Sequence, residues 1–292
     1  MRSILIILLC LSLLILPALA CTITFPTVKT QVGELREETV QVPLEDVAAA
    51  ELNITFGAGE LRLRPGFEEG LLEAVFTYNV DELRPVLERD RRGDRMDVRL
   101  HVEPDGLSLN FGDKTRNEWD IRLSDRVPIS LDVDLGAARG RMDLGGLRLT
   151  EARIRTGAAD VEVEWGKVNP ELLDILEVNA GAANLKMRKL GNAHFDYMNF
   201  TGGAGNFDLD FSGDWQESGR ASIDAGLSNL TLMVPRDIGV RVNAGDKALA
   251  NVNARGLRRR GSDWVNDAYG ESELELIINV DIGLGNLTLI EE

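Results

Sequence analysis

The feature that most constrains this chain is a glycine followed by small residues, written repeatedly inside alternating strands. "GAANL" at Gly181 is one instance. Others begin at Gly57, Gly136, Gly157, Gly203, Gly226 and Gly283. From Gly136 to Gly226 the steps are 21, 24, 22 and 23 residues, and a period near 22 marks a stacked repeat. Strand-like alternation flanks each glycine, as in "ISLDVDLG", "EARIRTG", "FDLDF" and "LTLMV". Each unit therefore reads as short strands meeting at a tight corner. Glycine allows close backbone approach at the bend, and an adjacent Ala or Gly leaves room for the next coil about 4.8 Å away.

A coil of this kind cannot bury its apolar face alone, so stacking must do it. The expected fold is an all-β solenoid in which Leu, Val, Ile and Phe point inward and charged residues outward. Asn184, Asn206, Asn229 and Asn286 each stand three residues after a corner glycine. They read either as a side-chain ladder along the stack or as ordinary turn residues. The ends are less regular. Residues 36–128 read as an N-terminal β cap, with "LLEAVFTYNV", "MDVRLHVEP" and "LSLNF" as antiparallel strands or an inserted hairpin layer. Residues 129–292 read as solenoid repeats and a C-terminal cap, with a weak repeat copy at Gly245. Glu171–Leu176, after Pro170, is the best helical candidate.

The N-terminus reads as a targeting segment. Arg2 supplies a positive charge, Ile4–Leu16 is an apolar run too short for a comfortable membrane span, and "PALAC" follows. Residues 1–20 are the expected signal peptide and 21–35 a tether. A cut before Cys21 fits a bacterial lipoprotein signal, in which Cys21 is lipidated; the alternative is a secreted protein. Cys10 leaves with the signal, so the mature chain has one thiol and no internal disulfide. The chain is exported to the cell envelope on this reading, held to the membrane by a lipid anchor only. A formal charge of −16 over 292 residues argues against nucleic acid as a partner. Aromatics are only 5% of the residues, so the core must be mainly aliphatic.

Several segments together resemble the toast-rack family of bacterial envelope proteins: "FGAGELRLRPG", "LLEAVFTYNV", "NEWDIRLSDRVPISLDVDLGA", "MDLGGLRLTEARIRTGAADVEVEW" and "DWVNDAYGESELELIINVDIGLGNLTLIEE". The N-terminal domain of that family is related to regulators of the cell-wall-active antibiotic response. The more specific parts are Asn117-Glu118-Trp119-Asp120 and Asn266-Asp267-Ala268-Tyr269-Gly270. The resemblance implies a right-handed β-helix-like fold and little chemistry. This chain lacks the regulators' run of transmembrane helices, so a role as a membrane-embedded kinase inhibitor does not carry over.

The residues offer little for catalysis. "GGAGNFDLDF" from Gly202 puts Asp208 one place too late for a calcium nonapeptide. His101 and His194 have no cysteine to join them in a zinc site. There is neither a Gly-x-Ser-x-Gly elbow nor a phosphate loop. No metal and no cofactor is expected. Asp160, Glu162 and Glu164 share one strand face, with Asp208 and Asp210 on an adjacent coil. They read as a solvated outer face, or as an acidic stripe of the kind a polysaccharide-cleaving β-helix uses. Trp119, Trp165 and Trp215 read as cap or core residues. The basic run Arg258, Arg259 and Arg260, with Trp264 and Tyr269, is the one loop combining cations and aromatics. It is the candidate contact for an unidentified envelope polymer or protein. The reading is a non-enzymatic, adhesin-like or scaffold-like envelope protein linked to envelope stress. A carbohydrate-active β-helix enzyme and an extracytoplasmic regulator of a signalling partner are the competing classes.

Overall fold

The computed structural model describes residues 32–102, 112, 114–245 and 249–292. Cys21 and "LSLNF" at 107–111 lie outside them. The chain begins with β1 (Arg36–Val42), the long β2 (Ala49–Pro65), β3 (Leu72–Tyr78), β4 (Pro85–Arg92), β5 (Arg95–Val102) and β6 (Asn117–Leu123). The middle holds β7 (Ile129–Asp143), β8 (Leu149–Thr156), β9 (Asp160–Glu164), β10 (Leu173–Arg188), β11 (Phe195–Asp210) and β12 (Gly219–Val234). The last strands are β13 (Gly239–Asn243), β14 (Leu249–Arg255), β15 (Arg258–Arg260), β16 (Asp263–Val265) and β17 (Glu275–Glu291). Among the described residues the only helical turns are two 3-10 segments, Asp81–Leu83 and Leu190–Ala193. The protein is all-β.

Each long strand has two limbs that meet at its glycine. In β10 the buried positions run Leu176, Val178 and Ala180, then jump to Ala183, Leu185 and Met187. A flat strand keeps one parity, because successive side chains alternate faces. The jump leaves Gly181 and Ala182 both facing out, which defines a corner. The limbs then follow separate neighbours. The first limb of β7 pairs in parallel with β8 and its second limb with β9. β10 pairs with the same two strands from the other side. From β10 the parallel pairing continues to β11, β12 and β17 along both limbs.

The corners stack in register. A methyl placed on Gly136, Gly157, Gly181, Gly203, Gly226 or Gly283 would meet the carbonyl oxygen of the preceding corner glycine at 2.3, 3.0, 2.8, 2.7, 2.6 or 3.2 Å. That carbonyl is held in place by the ladder: Ala158 N donates to Gly136 O and Ala182 N to Gly157 O. The third corner position takes two forms. Gly59, Gly205 and Gly285 have φ of 123°, 153° and 144°, in the region that side chains resist. Ala138, Ala159, Ala183 and Ser228 hold the same station without a positive φ. The "GAG" and "GAA" corners are thus two backbone shapes.

The inward faces of both limbs form one hydrophobic core, mainly aliphatic, from Val42 to Leu289. At the N-terminal end the stack splits into two layers, each started by a strand parallel to β2 and continued by antiparallel ones. β5 and β4 extend the first limb of β2, while β6, β3 and β1 extend its second limb. Trp119 closes this end, edge-on to Phe56 at 5.0 Å and Phe76 at 5.1 Å. At the C-terminal end, β13, β16 and β15 extend the first limb of β17 and β14 extends the second.

One expectation fails here. Glu171–Leu176 is not helical: Leu173 already starts β10, its N–H donating to His194 O and its register partner being Phe195. Local helix propensity loses to a ladder that satisfies the backbone and buries Leu173 and Leu176.

Candidate binding surfaces

The basic run forms an edge hairpin. β15 pairs antiparallel with β16, setting Arg258 opposite Val265, Arg259 opposite Trp264 and Arg260 opposite Asp263. The tight connection uses Gly261 at φ 66°. All three arginines are exposed. Arg258 is ion-paired with Asp267, whereas among the described residues neither Arg259 nor Arg260 forms an ion pair. Trp264 is half-buried and packs on the core rather than standing free as a platform. Tyr269 is also half-buried, with its backbone against Gly239. The hairpin therefore sets the cations at a sheet edge with alternate ones on opposite faces, and turns Trp264 partly inward.

The acidic stripe is not continuous. Lys186 stands between Glu162 and Asp208 in the register, and Arg188 lies opposite Glu164. Arg188 Nε donates to Glu162 Oε1 at 2.7 Å, and that hydrogen bond is the main reason the Glu162 carboxyl is held below the usual carboxylate range. Lys189 Nζ lies 3.8 Å from Glu164 Oε1. Asp210 is taken up by the backbone N–H groups of Ser212 and Lys189. The first-limb face follows the same rule, with Arg155 on Asp132 at 2.6 Å and Arg153 between Glu151 and Glu177. Among the described residues no group of three His, Cys, Asp or Glu could hold a metal ion.

A groove of about 580 Å³ runs along the outside of the first corners. Its floor is small because Ala137, Ala158 and Ala182 face out there; the equivalent stations further along the column hold the exposed Leu227 and Leu284. Its rim carries Glu60, Glu118, Arg139 and Asp160, and Arg139 Nη1 is 2.9 Å from Glu60 Oε1. Further along the same column the asparagines form a ladder. Asn206 donates to Asn184 at 2.9 Å, Asn229 to Asn206 at 3.0 Å and Asn286 to Asn229 at 2.7 Å. All of these amides are exposed.

A second, buried set of asparagines holds the turns. Asn169 donates to Leu149 O and Ala193 O and accepts from Leu149 N and Glu171 N. Asn192 donates to Trp165 O and accepts from Asp214 N. Asn117 donates to Ala58 O and accepts from the Trp119 indole; Asn266 donates to Ile238 O and accepts from Val240 N. Asn117 and Asn266 fall in the two more distinctive sequence segments, and the structure gives the physical reason. The amide is the side chain that can both donate and accept between rungs in a dry site. Asn169 and Asn192 carried no such signal. Trp119 and Trp165 are fully buried, and Trp215 packs edge-on to Phe195. His194 contacts Asn169 O in a turn.

Comparison with known proteins adds the family. The chain matches the family described as the N-terminal domain of toast_rack, DUF2154, over residues 31–175 and 167–233. No curated protein matches it. Among solved structures, it is similar to a putative cell adhesion protein from Clostridium sporogenes ATCC 15579. That match has 22% identity, covers 89% of this chain and all of the other, and has a TM-score of 0.49. It is also similar to a putative adhesin from Bacteroides fragilis NCTC 9343, at 11% identity, 90% and 100% coverage and a TM-score of 0.41. The family match spans well over half of the sequence, and the chain belongs to the toast-rack family.

Proposed function

We propose that this protein is a non-enzymatic binding module of the cell envelope, adhesin-like or scaffold-like, built as a right-handed β-helix-like solenoid. The signal-like N-terminus supports export with lipidation at Cys21, and the tether of residues 21–35 then holds the stack off the membrane. The observation that carries the functional reading is the pairing on the outer faces. Glu60, Asp132, Glu162 and Glu177 each meet an arginine from a neighbouring rung, so these four are spent in ion pairs, and in the corner groove Glu118 and Asp160 stand beside the Glu60–Arg139 pair. What remains for contact is extended surface: the outer faces of the two limbs, the corner groove and the arginine edge.

The edge is the best-defined contact. Arg259 and Arg260 project from β15 to opposite faces of the same exposed edge, beside a neutralised Arg258, so the edge offers an unpaired cation on either side to an anionic envelope polymer or an acidic protein surface. The test is retention of the full chain on cell-wall material. Arg259→Glu with Arg260→Glu should release it by at least tenfold, whereas reversing Arg62 and Arg141 on the opposite limb should not. Equal retention in all chains would remove the edge from the account. Mass spectrometry of the mature N-terminus tests the anchor: a diacylglyceryl Cys21 is expected, and an unmodified cysteine contradicts it.

A further inference from the structure

Four strands have a single partner among the described residues: β1, β4, β14 and β15. A free edge invites another strand, and proteins usually block this with charge. β1 carries Arg36, Glu37 and Glu38; β4 carries Glu88, Arg89, Asp90, Arg91 and Arg92; β15 is Arg258–Arg260. β14 is the exception. It reads Leu-Ala-Asn-Val-Asn-Ala-Arg, with no charge before its last residue. Its core side is also uncovered. Val252 pairs with Leu287, which is 1% exposed, yet Val252 itself is 36% exposed because no described strand lies beyond it.

The same strand is a palindrome. Ala250-Asn251-Val252-Asn253-Ala254 reads identically in both directions. An antiparallel pair of such strands centred on Val252 sets Val opposite Val, Asn opposite Asn and Ala opposite Ala. Core-side positions meet core-side positions, because the register keeps parity. Arg255 would face Leu249, and the two copies of Arg255 would stand about 20 Å apart, six residues at ~3.4 Å each. A closed two-fold interface must use one patch twice, which is what a palindromic strand supplies. We propose that β14 is a homodimer edge: it pairs antiparallel with β14 of a second copy about Val252, joining the two second-limb sheets into one. The occupant is a second copy rather than a foreign strand because the edge complements itself in sequence and in face, and the register keeps its one charge, Arg255, away from its own copy.

Cysteine cross-linking of the full chain in envelope membranes tests both the contact and its register. Val252→Cys should oxidise to a disulfide-linked dimer, since the introduced thiol faces its own copy across the two-fold axis. Asn251→Cys and Asn253→Cys should each stay at the baseline of the parent chain. The double variant Asn251→Cys/Asn253→Cys should cross-link, because position 251 faces position 253 of the second copy. Asn251→Lys/Asn253→Lys places lysines opposite each other on an exposed face, where folding tolerates them. Added to Val252→Cys, it should reduce the dimer at least fivefold while the circular dichroism spectrum stays that of the parent. Several results overturn the proposal: Val252→Cys at the parent baseline, equal cross-linking of the single and double asparagine variants, no loss on adding the lysines, or a disulfide from the Val252→Cys thiol to a different protein.

Discussion

Adding one methyl group at Gly57 and at Gly136 should have opposite effects, although the two positions look equivalent in the sequence. Both are corner glycines, and β2 and β7 pair in register through them. The column has a direction, however. A Cβ on Gly136 would lie 2.3 Å from the Gly57 carbonyl oxygen, while a Cβ on Gly57 would have nothing within 4 Å. An ordinary contact needs about 3.5 Å, so Gly136→Ala must open the corner by roughly 1 Å. Overpacking of that kind costs about 1–3 kcal/mol. The shift also strains the ladder bonds at that corner, from Ala158 N to Gly136 O and from Gly157 N to Leu135 O, each worth about 1 kcal/mol. The expected loss is about 2–4 kcal/mol. Gly57→Ala adds no contact and its φ is not in the left-handed region. It should be neutral or gain about 0.4–1 kcal/mol by restricting the unfolded chain. Urea unfolding followed by circular dichroism reads both as midpoint shifts of opposite sign. Equal losses at the two sites would mean that the corners do not stack in this order, and the reasoning from the column would be refuted.

Other outcomes follow from the two asparagine sets and from the ion pairs. Asn169→Ala leaves the Leu149 backbone unpaired in a dry site and should cost about 3 kcal/mol, whereas Asn206→Ala in the exposed ladder should cost less than about 1 kcal/mol; thermal midpoints compare them directly. The Glu73 carboxyl is held below the usual carboxylate range, first by its hydrogen bond from Arg122 and then by that from Gln41. Its contribution is therefore complete above the unfolded carboxylate value of ~4.3 and is lost as pH falls towards the lowered folded value. Glu73→Gln should destabilise the protein at neutral pH and narrow the stability difference between neutral and acidic solution, as read from urea midpoints on either side of the carboxylate range.

The corner column was legible because its cause is local. A glycine that must lie against the preceding rung's carbonyl has no substitute, so it recurs at the rung spacing for the chain to show. The same spacing carried information that reading along the strand missed. Adding 24 to Glu162 or Glu164 arrives at Lys186 or Arg188, and a further 22 arrives at Asp208 or Asp210. Neighbours on the outer face are a full coil apart, so an apparent acidic stripe is in fact a set of alternating charges. The buried turn asparagines were hidden for a different reason. Asn169 and Asn192 sit among polar turn residues, and composition alone does not distinguish an amide facing water from one facing backbone groups in a dry site. Glu171–Leu176 misled because its leucine spacing suits one helical turn, while two of those leucines serve the core of a strand. In the candidate hairpin the arginines were found from charge alone, but the half-burial of Trp264 and Tyr269 depends on β13 packing beside them.

The stacking itself is tested most directly by a distance along the corner column. Ala137 on β7 and Leu284 on β17 are both exposed, and five strand spacings separate them through β9, β10, β11 and β12. Spin labels on Ala137→Cys and Leu284→Cys, with Cys10 and Cys21 replaced by serine, should give one distance peak near 24 Å, from roughly five steps of ~4.8 Å. A peak centred beyond about 35 Å, more than seven such steps, would contradict the in-register stack on which the account of the binding surfaces rests.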